Sequence, residues 1–278
     1  MKKVLFFTIL LITFIYLVWS YQIYFKSGNF RLIFFDVGQG DSSLIVTPGG
    51  QTILIDGGPD KKVLRGLGSV LPFWRRTIDL LVITHAHDDH IIGLIEVSRR
   101  YQIRSILYNN LDFDTPALSS LLKITQNNKI KMIKAQTGMS FNFDNNCILS
   151  VLASNQEIQK NENDYSIVTK FNCLGKNVLS SGDAGIAIEN NLLNQGLDLK
   201  TDIFKISHHG SASANSLQFL EAIKPQVVVI SVGENNKFGH PTPLILDRLN
   251  SLSVDIYRTD INSQLEFLAN YKSIRLIK

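Results

Sequence analysis

A chain of 278 residues with 45% hydrophobic and 9% aromatic content is long enough to bury a sizeable core in one domain or two. Its formal charge of +4 looks suited to a polyanionic partner, yet residues 1–30 hold Lys2, Lys3 and Lys26 and no acid. Setting those three aside from the 28 basic residues leaves 25 against 24 acidic ones, so global charge lends nucleic-acid binding no support.

In chain order, Met1-Lys2-Lys3 precedes an apolar run over 4–19. Continued as helix to Phe25, it spans about 33 Å, enough for a bilayer. The bulky Trp19, Tyr21 and Tyr24 that follow argue against a cleavage site, and the lysines hold the N-terminus in the cytoplasm. The expectation is a single-pass protein of the cell membrane. Residues 1–26 form its N-terminal transmembrane helix, and residues 27–278 one extracytoplasmic domain.

Short β-rich runs at 31–37, 42–47 and 52–56 are separated by Gly38-Gln39-Gly40-Asp41 and Pro48-Gly49-Gly50, which predicts a meander. Alternation follows: strand 79–84, helix 91–100, strand 105–109 and helix 116–126. From 130 to 181 the β signal dominates, with a polar loop over 154–163. Beyond it come helix 184–195, strand 202–207, helix 216–223, strand 226–231, helix 243–252 and a β end over 254–277. Two β-rich blocks with flanking helices predict an α/β fold, a four-layer αβ/βα sandwich. Cys147 and Cys173 lie in apolar strand-like runs. They could pair in an oxidising compartment, but two buried thiols are the plainer reading. The basic clusters Lys61–Arg76, Arg99–Arg104 and Lys123–Lys134 read as solvated faces before they read as a substrate track.

All six histidines fall inside three motifs: His85-Ala-His87-Asp88-Asp89-His90, Ser207-His208-His209-Gly210 and Gly239-His240-Pro241. Imidazoles confined to carboxylate-bearing clusters point to a metal site. Alternate residues of an extended segment share a side, so His85 and His87 can chelate one ion, while Asp89 and His90 face a second. Asp88 is read as an ordinary polar residue.

The His-x-His-x-Asp-His motif after a strand resembles that of the metallo-β-lactamase superfamily. Ile55-Asp56-Gly57-Gly58 is similar to the superfamily's first motif, whose aspartate braces the histidine loop. Ser181-Gly182-Asp183 is similar to the segment carrying the carboxylate that bridges two metals. A narrower set, Phe35–Asp41, Ile206–Ser211 and Ser231–Pro241, resembles the metallo-β-lactamase-like domain of ComEC-type DNA-uptake channel proteins. No histidine stands between His90 and His208, so one ligand common in the superfamily is absent, and Asn163–Val168 occupies its place. Oxygen ligands then make Mn²⁺ as plausible as Zn²⁺. The long multi-helix channel region of those proteins has no counterpart here, which points to a separately encoded membrane channel protein as a partner.

The resemblance implies a metal-dependent hydrolase using two divalent ions, Zn or Mn, held by His85, His87, Asp89, His90, Asp183 and His208. Such ions activate water without a protein nucleophile. Consecutive residues diverge along a continuing strand, so one of His208 and His209 ligates, and His208 is the expected one. Asp89, His209 and His240 are the expected catalytic side chains, the histidines meeting a phosphate oxygen or a leaving alkoxide. The leading expectation is a phosphodiesterase or nuclease on DNA or another phosphodiester polymer, in a competence-related role. The alternatives are hydrolysis of a lactone, a β-lactam or a cell-envelope phosphodiester, and a catalytically weak DNA-binding module.

Overall fold

Apolar strands alternating with amphipathic helices build two sheets laid back to back in the computed structural model. It describes residues 2–25, 28–109, 115–154 and 162–278, the side chains at 17, 19–25 and 145 excepted. Helix α1 (Lys2–Phe25) leads into β1 (Phe30–Phe34), β2 (Ser43–Val46), β3 (Thr52–Ile55), α2 (Lys62–Val70), β4 (Thr77–Ile78), β5 (Leu80–Val82), α3 (Asp88–Arg100), β6 (Gln102–Ile103), β7 (Ser105–Tyr108), α4 (Pro116–Asn127) and β8 (Lys131–Lys134). The second part continues with β9 (Ser140–Asn142), β10 (Ile148–Ala153), β11 (Val168–Cys173), β12 (Lys176–Ser180), α5 (Ile186–Asn194), β13 (Ile203–Lys205), α6 (Leu217–Ile223), β14 (Val227–Ile230), α7 (Pro243–Ser251), β15 (Asp255–Arg258), α8 (Thr259–Asn262), β16 (Leu265–Ala269) and β17 (Ile274–Leu276).

The first sheet has the order β17-β16-β1-β2-β3-β5-β7-β8 and the second β15-β14-β13-β12-β11-β10-β9. The period of two along each strand sends alternate side chains to opposite faces. In β1, Leu32 and Phe34 enter the core between the sheets, with Leu149, Val151, Phe171, Ile203 and Val229 from the other side. Phe30 meets Phe171 edge to face at 5.5 Å across that core. Ile33 and Phe35 point the other way, toward Val63 and Leu67 of α2 and Leu94 of α3. Phe204 and Val228 of the second sheet pack outward on Ile188 of α5, Phe219 of α6 and Ile245 of α7. Strands covered on both faces are why the sequence shows nearly continuous apolar runs. The result is the expected αβ/βα sandwich.

Some local expectations change. Residues 60–78 carry the unassigned helix α2, whose Val63, Leu67 and Val70 face the core. Helix α3 begins at Asp88, ahead of the expected 91, because Asp88 and Asp89 suit the positive end of a helix. Lys131–Lys134 pairs with β7 at the edge of the first sheet instead of opening the second. Cys147 and Cys173 stand opposite one another where β10 pairs with β11 and are joined as a disulfide, Cα to Cα 4.2 Å. Most of the expected 154–163 loop lies outside the described residues.

The membrane expectation is corrected. Residues Lys2–Phe25 are helical, but among the described residues no helix is long and apolar enough to cross a membrane. The uninterrupted run over 4–19 falls short of the roughly 20 residues a crossing needs, and it contains Thr8 and Thr13, whose hydroxyls bond back to the Val4 and Ile9 carbonyls at 2.9 and 2.7 Å. Extending it to Phe25 takes in Ser20 and Gln22. A single-pass membrane protein with an extracytoplasmic domain is therefore not supported. The interfacial role assigned to Trp19, Tyr21 and Tyr24 falls on side chains outside the described ones.

Candidate metal centre

Strands β3, β5, β7 and β8 run parallel in the first sheet, as do β12, β13, β14 and β15 in the second. The loops leaving β1, β3, β5, β12, β13 and β14 meet at one end of the sandwich, as expected for the carboxyl ends of parallel strands. They carry every motif singled out in the sequence.

Asp56, at the end of β3, is the keystone. Its carboxylate accepts from Thr84 N at 2.9 Å, Thr84 Oγ1 at 2.7 Å and His90 Nδ1 at 2.9 Å. Because Nδ1 of His90 donates to Asp56, its Nε2 is the nitrogen left to coordinate. Thr84 Oγ1 also lies 3.1 Å from Nδ1 of His85, which turns that ring's Nε2 inward as well. Gly57 N donates to the His90 carbonyl at 2.7 Å. A Cβ on Gly93 would lie 1.9 Å from the Gly57 carbonyl oxygen, so only glycine lets the first turns of α3 approach this loop.

Asp183 receives the other residues. Its Oδ2 lies 3.5 Å from His90 Nε2, 3.7 Å from His209 Nε2, 3.8 Å from His208 Nε2 and 3.9 Å from His85 Nε2. Asp89 Oδ2 is 3.2 Å from His209 Nε2 and 3.8 Å from His90 Nε2. Asp89, His90, Asp183 and His209 thus offer ligand atoms that all lie within 4.8 Å of one another. Among the described residues the buried atoms His85 Nε2, His90 Nε2 and Asp183 Oδ1 have no hydrogen-bond partner. Buried polar atoms without partners are costly, and imidazole nitrogens aimed with carboxylate oxygens into one space are a donor set that a divalent cation satisfies. The residues fit a metal.

His208 and His209 do not diverge as a continuing strand would make them. Strand β13 stops at Lys205, and the two histidines are consecutively left-handed, at φ 50° and 54°. Both imidazoles therefore reach Asp183. His209 is buried and its Nδ1 donates to the Ser231 carbonyl at 2.9 Å, which leaves Nε2 facing Asp89. His208 sits nearer the surface with Nδ1 beside Ser213 Oγ at 3.3 Å. His87 stands apart: its Nε2 pairs with Glu162 Oε2 at 2.5 Å, although its ring is 4.6 Å from that of His85. His240 lies 5.8 Å from the His208 ring, with Nδ1 buried and lacking a hydrogen-bond partner among the described residues. Asp88 enters none of these contacts.

The cluster polarises itself. Burial would push His90 down, but the charges of Asp183, Asp56 and Asp89 outweigh it and hold the imidazole well above its usual range. Burial would likewise raise Asp183, yet the charges of His209 and His90 bring it well below the carboxylate range. Asp89 is also held low, the His90 charge and the His209 hydrogen bond overcoming burial. Burial and then the His90 charge keep His85 well below the ordinary imidazole value, and burial lowers His208 and His240.

Beneath the centre, buried Lys205 contacts the Asp41 carboxylate and donates to the Gly182 carbonyl at 3.2 Å. Burial presses this lysine well below its usual range. Asp41 Oδ1 is in turn 3.4 Å from His209 Nδ1. Sequence reasoning passed over Lys205 and Glu162 and gave Asp41 no role. The only signal was Asp41's place in the Phe35–Asp41 motif.

Residues 35–119 match the metallo-beta-lactamase superfamily. Its curated relatives are ComEC-like proteins. ComE operon protein 3 of Bacillus subtilis is 24% identical over 92% of this chain and 35% of its own length. Competence protein ComA of Neisseria gonorrhoeae is 26% identical over 84% of this chain and 31% of its own length. The chain thus spans about a third of the length of these relatives. Among solved structures, the metallo-beta-lactamase fold protein YhfI of Bacillus subtilis aligns with a TM-score of 0.59 and 12% identity, over 87% of this chain and all of that one, a likeness of fold.

Proposed function

We infer that this protein is a metal-dependent phosphodiesterase acting on DNA in a competence-related role, with 27–278 as its hydrolase unit. The observation that carries the reading is the convergence of four imidazole Nε2 atoms, each 3.5–3.9 Å from Asp183 Oδ2, two of them buried without a partner among the described residues. The competence name of a relative supports DNA as the polymer, with a membrane channel protein as the proposed partner.

Asp183 would bridge two ions, with Asp89, His90 and His209 holding one and His85, His87 and His208 the other. His209 is thereby assigned as a ligand alongside His208, since both face Asp183. His87 would exchange Glu162 for metal. Bound Zn²⁺ or Mn²⁺ supplies an activated water and polarises a phosphoryl oxygen. Asp56 fixes the His90 tautomer, and the Ser231 carbonyl fixes that of His209. His240, one ring contact beyond His208, is placed to donate a hydrogen bond to a phosphate oxygen or a proton to the leaving oxygen.

The test incubates the full chain with single-stranded DNA, bis(p-nitrophenyl) phosphate and a chromogenic cephalosporin, each with Mn²⁺, Zn²⁺ or chelator. Chelator-sensitive cleavage of the phosphodiesters is expected. Turnover of the cephalosporin alone would replace this reading with amide hydrolysis, and saturable DNA binding without any turnover would make the protein a binding module.

A further inference from the structure

Phe238 is 57% exposed although it stands on a loop with little freedom. Asn236 pins that loop from inside. Its Nδ2 donates to the Gly233 and His240 carbonyls at 3.1 and 2.7 Å, and its Oδ1 accepts from Phe238 N and His240 N at 3.2 and 3.0 Å. Outside ties reach the metal centre on two sides. Gly233 N donates to Gln39 Oε1 at 3.1 Å, and Thr242 N to the carbonyl of Gly210, next to the paired histidines, at 3.0 Å.

The ring is also aligned. Phe238 stacks on His240 with centroids 5.9 Å apart and planes 24° apart, and His240 meets His208, whose Nε2 is 3.8 Å from Asp183. Two ring contacts therefore join an exposed aromatic face to the proposed metal centre. An isolated exposed phenylalanine means little. One fixed in orientation at the rim of the proposed reaction centre is a platform, because every nucleobase has a π-face and an aromatic ring takes it without reading sequence.

Lys237 completes the arrangement. Its exposed ammonium hovers 5.3 Å from the Phe238 centroid on a flexible stem, a contact weaker than a base stack.

We propose that Phe238 is the stacking face for the nucleobase beside the phosphate held at the metal centre, with Lys237 on the flanking backbone. This assignment rests on the phosphodiesterase reading. It makes the base, and not the polyanionic backbone alone, a determinant of which phosphodiesters are taken.

The test mixes the full Mn²⁺-loaded chain with single-stranded oligonucleotides carrying 2-aminopurine at successive positions, and reads fluorescence before turnover. Stacking at one position quenches the probe. Phe238→Ala should abolish that quench and weaken binding by about 5- to 150-fold. Phe238→Trp should restore both, and Phe238→Leu, apolar but without a π-face, should not. In steady state Phe238→Ala should raise KM on the normal oligonucleotide and change nothing when the base beside the cleaved phosphate is removed. Unchanged quench and KM in Phe238→Ala, while the wild type still cleaves DNA, would overturn the stacking assignment and leave the phosphodiesterase standing. A quench that depends on Phe238 in a protein that cleaves no phosphodiester would retain the base contact and remove the reaction.

Discussion

The Asp56 carboxylate accepts three hydrogen bonds and touches no proposed substrate, yet it decides which nitrogen of His90 is free. Asp56→Asn should therefore lower metal affinity by about 10- to 100-fold, with far-ultraviolet circular dichroism unchanged; titration with Zn²⁺ against a competing chelator measures it. Asp183→Ala should go further and lose bound metal altogether, because four imidazoles face that one carboxylate oxygen. Retention of two equivalents of metal in Asp183→Ala would remove the bridging role. Asp88→Asn should leave metal content and turnover as they are. That His85 and His90 share a cluster was legible because their motif sets ligand types within a few residues, whereas Asp183 entered only through the resemblance of Ser181-Gly182-Asp183. The position of His209 was not legible. It depends on two successive positive φ angles, each costing on the order of 1–3 kcal/mol, and no side-chain pattern announces them.

Strand β13 and the loop leaving β1 are joined by a buried ion pair, Lys205 with Asp41, 164 residues apart. Removing one charge strands the other, so Lys205→Met should cost about 3–5 kcal/mol. Replacing both in Asp41→Leu/Lys205→Met should recover much of that loss. Urea unfolding of the two single variants and the double variant closes the cycle, and additive losses would show that the pair is not the unit. Most helices could be read from periodicity and most strands from short, nearly continuous apolar runs, since both sheets are covered on both faces. Helix α2 escaped notice, with Gly66 and Gly68 breaking up a short apolar pattern. The disulfide escaped for a different reason: only the register of β10 on β11, with Ile148 opposite Asn172, sets Cys147 against Cys173.

The whole molecule carries the charge balance of its metal-free centre. His90 is held above its usual range, so its contribution to stability is complete below the unfolded value of about 6.5 and is lost as pH rises through the folded value. Asp89 and Asp183 act oppositely, contributing above about pH 4 and losing that contribution as pH falls through their lowered values. The His90 share should therefore lower the melting temperature of chelated protein above neutrality, opposed by Lys205, whose lowered value adds stability as pH climbs; saturating Zn²⁺ or Mn²⁺ should remove the His90 share by taking the proton's place on that ring. Thermal unfolding from pH 6 to 9 with and without metal checks both statements. The same centre has a history as well as a charge. Its proposed ligands come from both sheets, and the first sheet closes only when β16 and β17, which follow every one of those residues in chain order, return to pair beside β1. A nascent chain that has exposed His85 to His90 holds half a chelate and no finished wall behind it. Capture of an ion by this candidate centre should then be a late event in the life of each molecule, and in refolding from urea the rise of metal occupancy should lag behind the recovery of secondary structure.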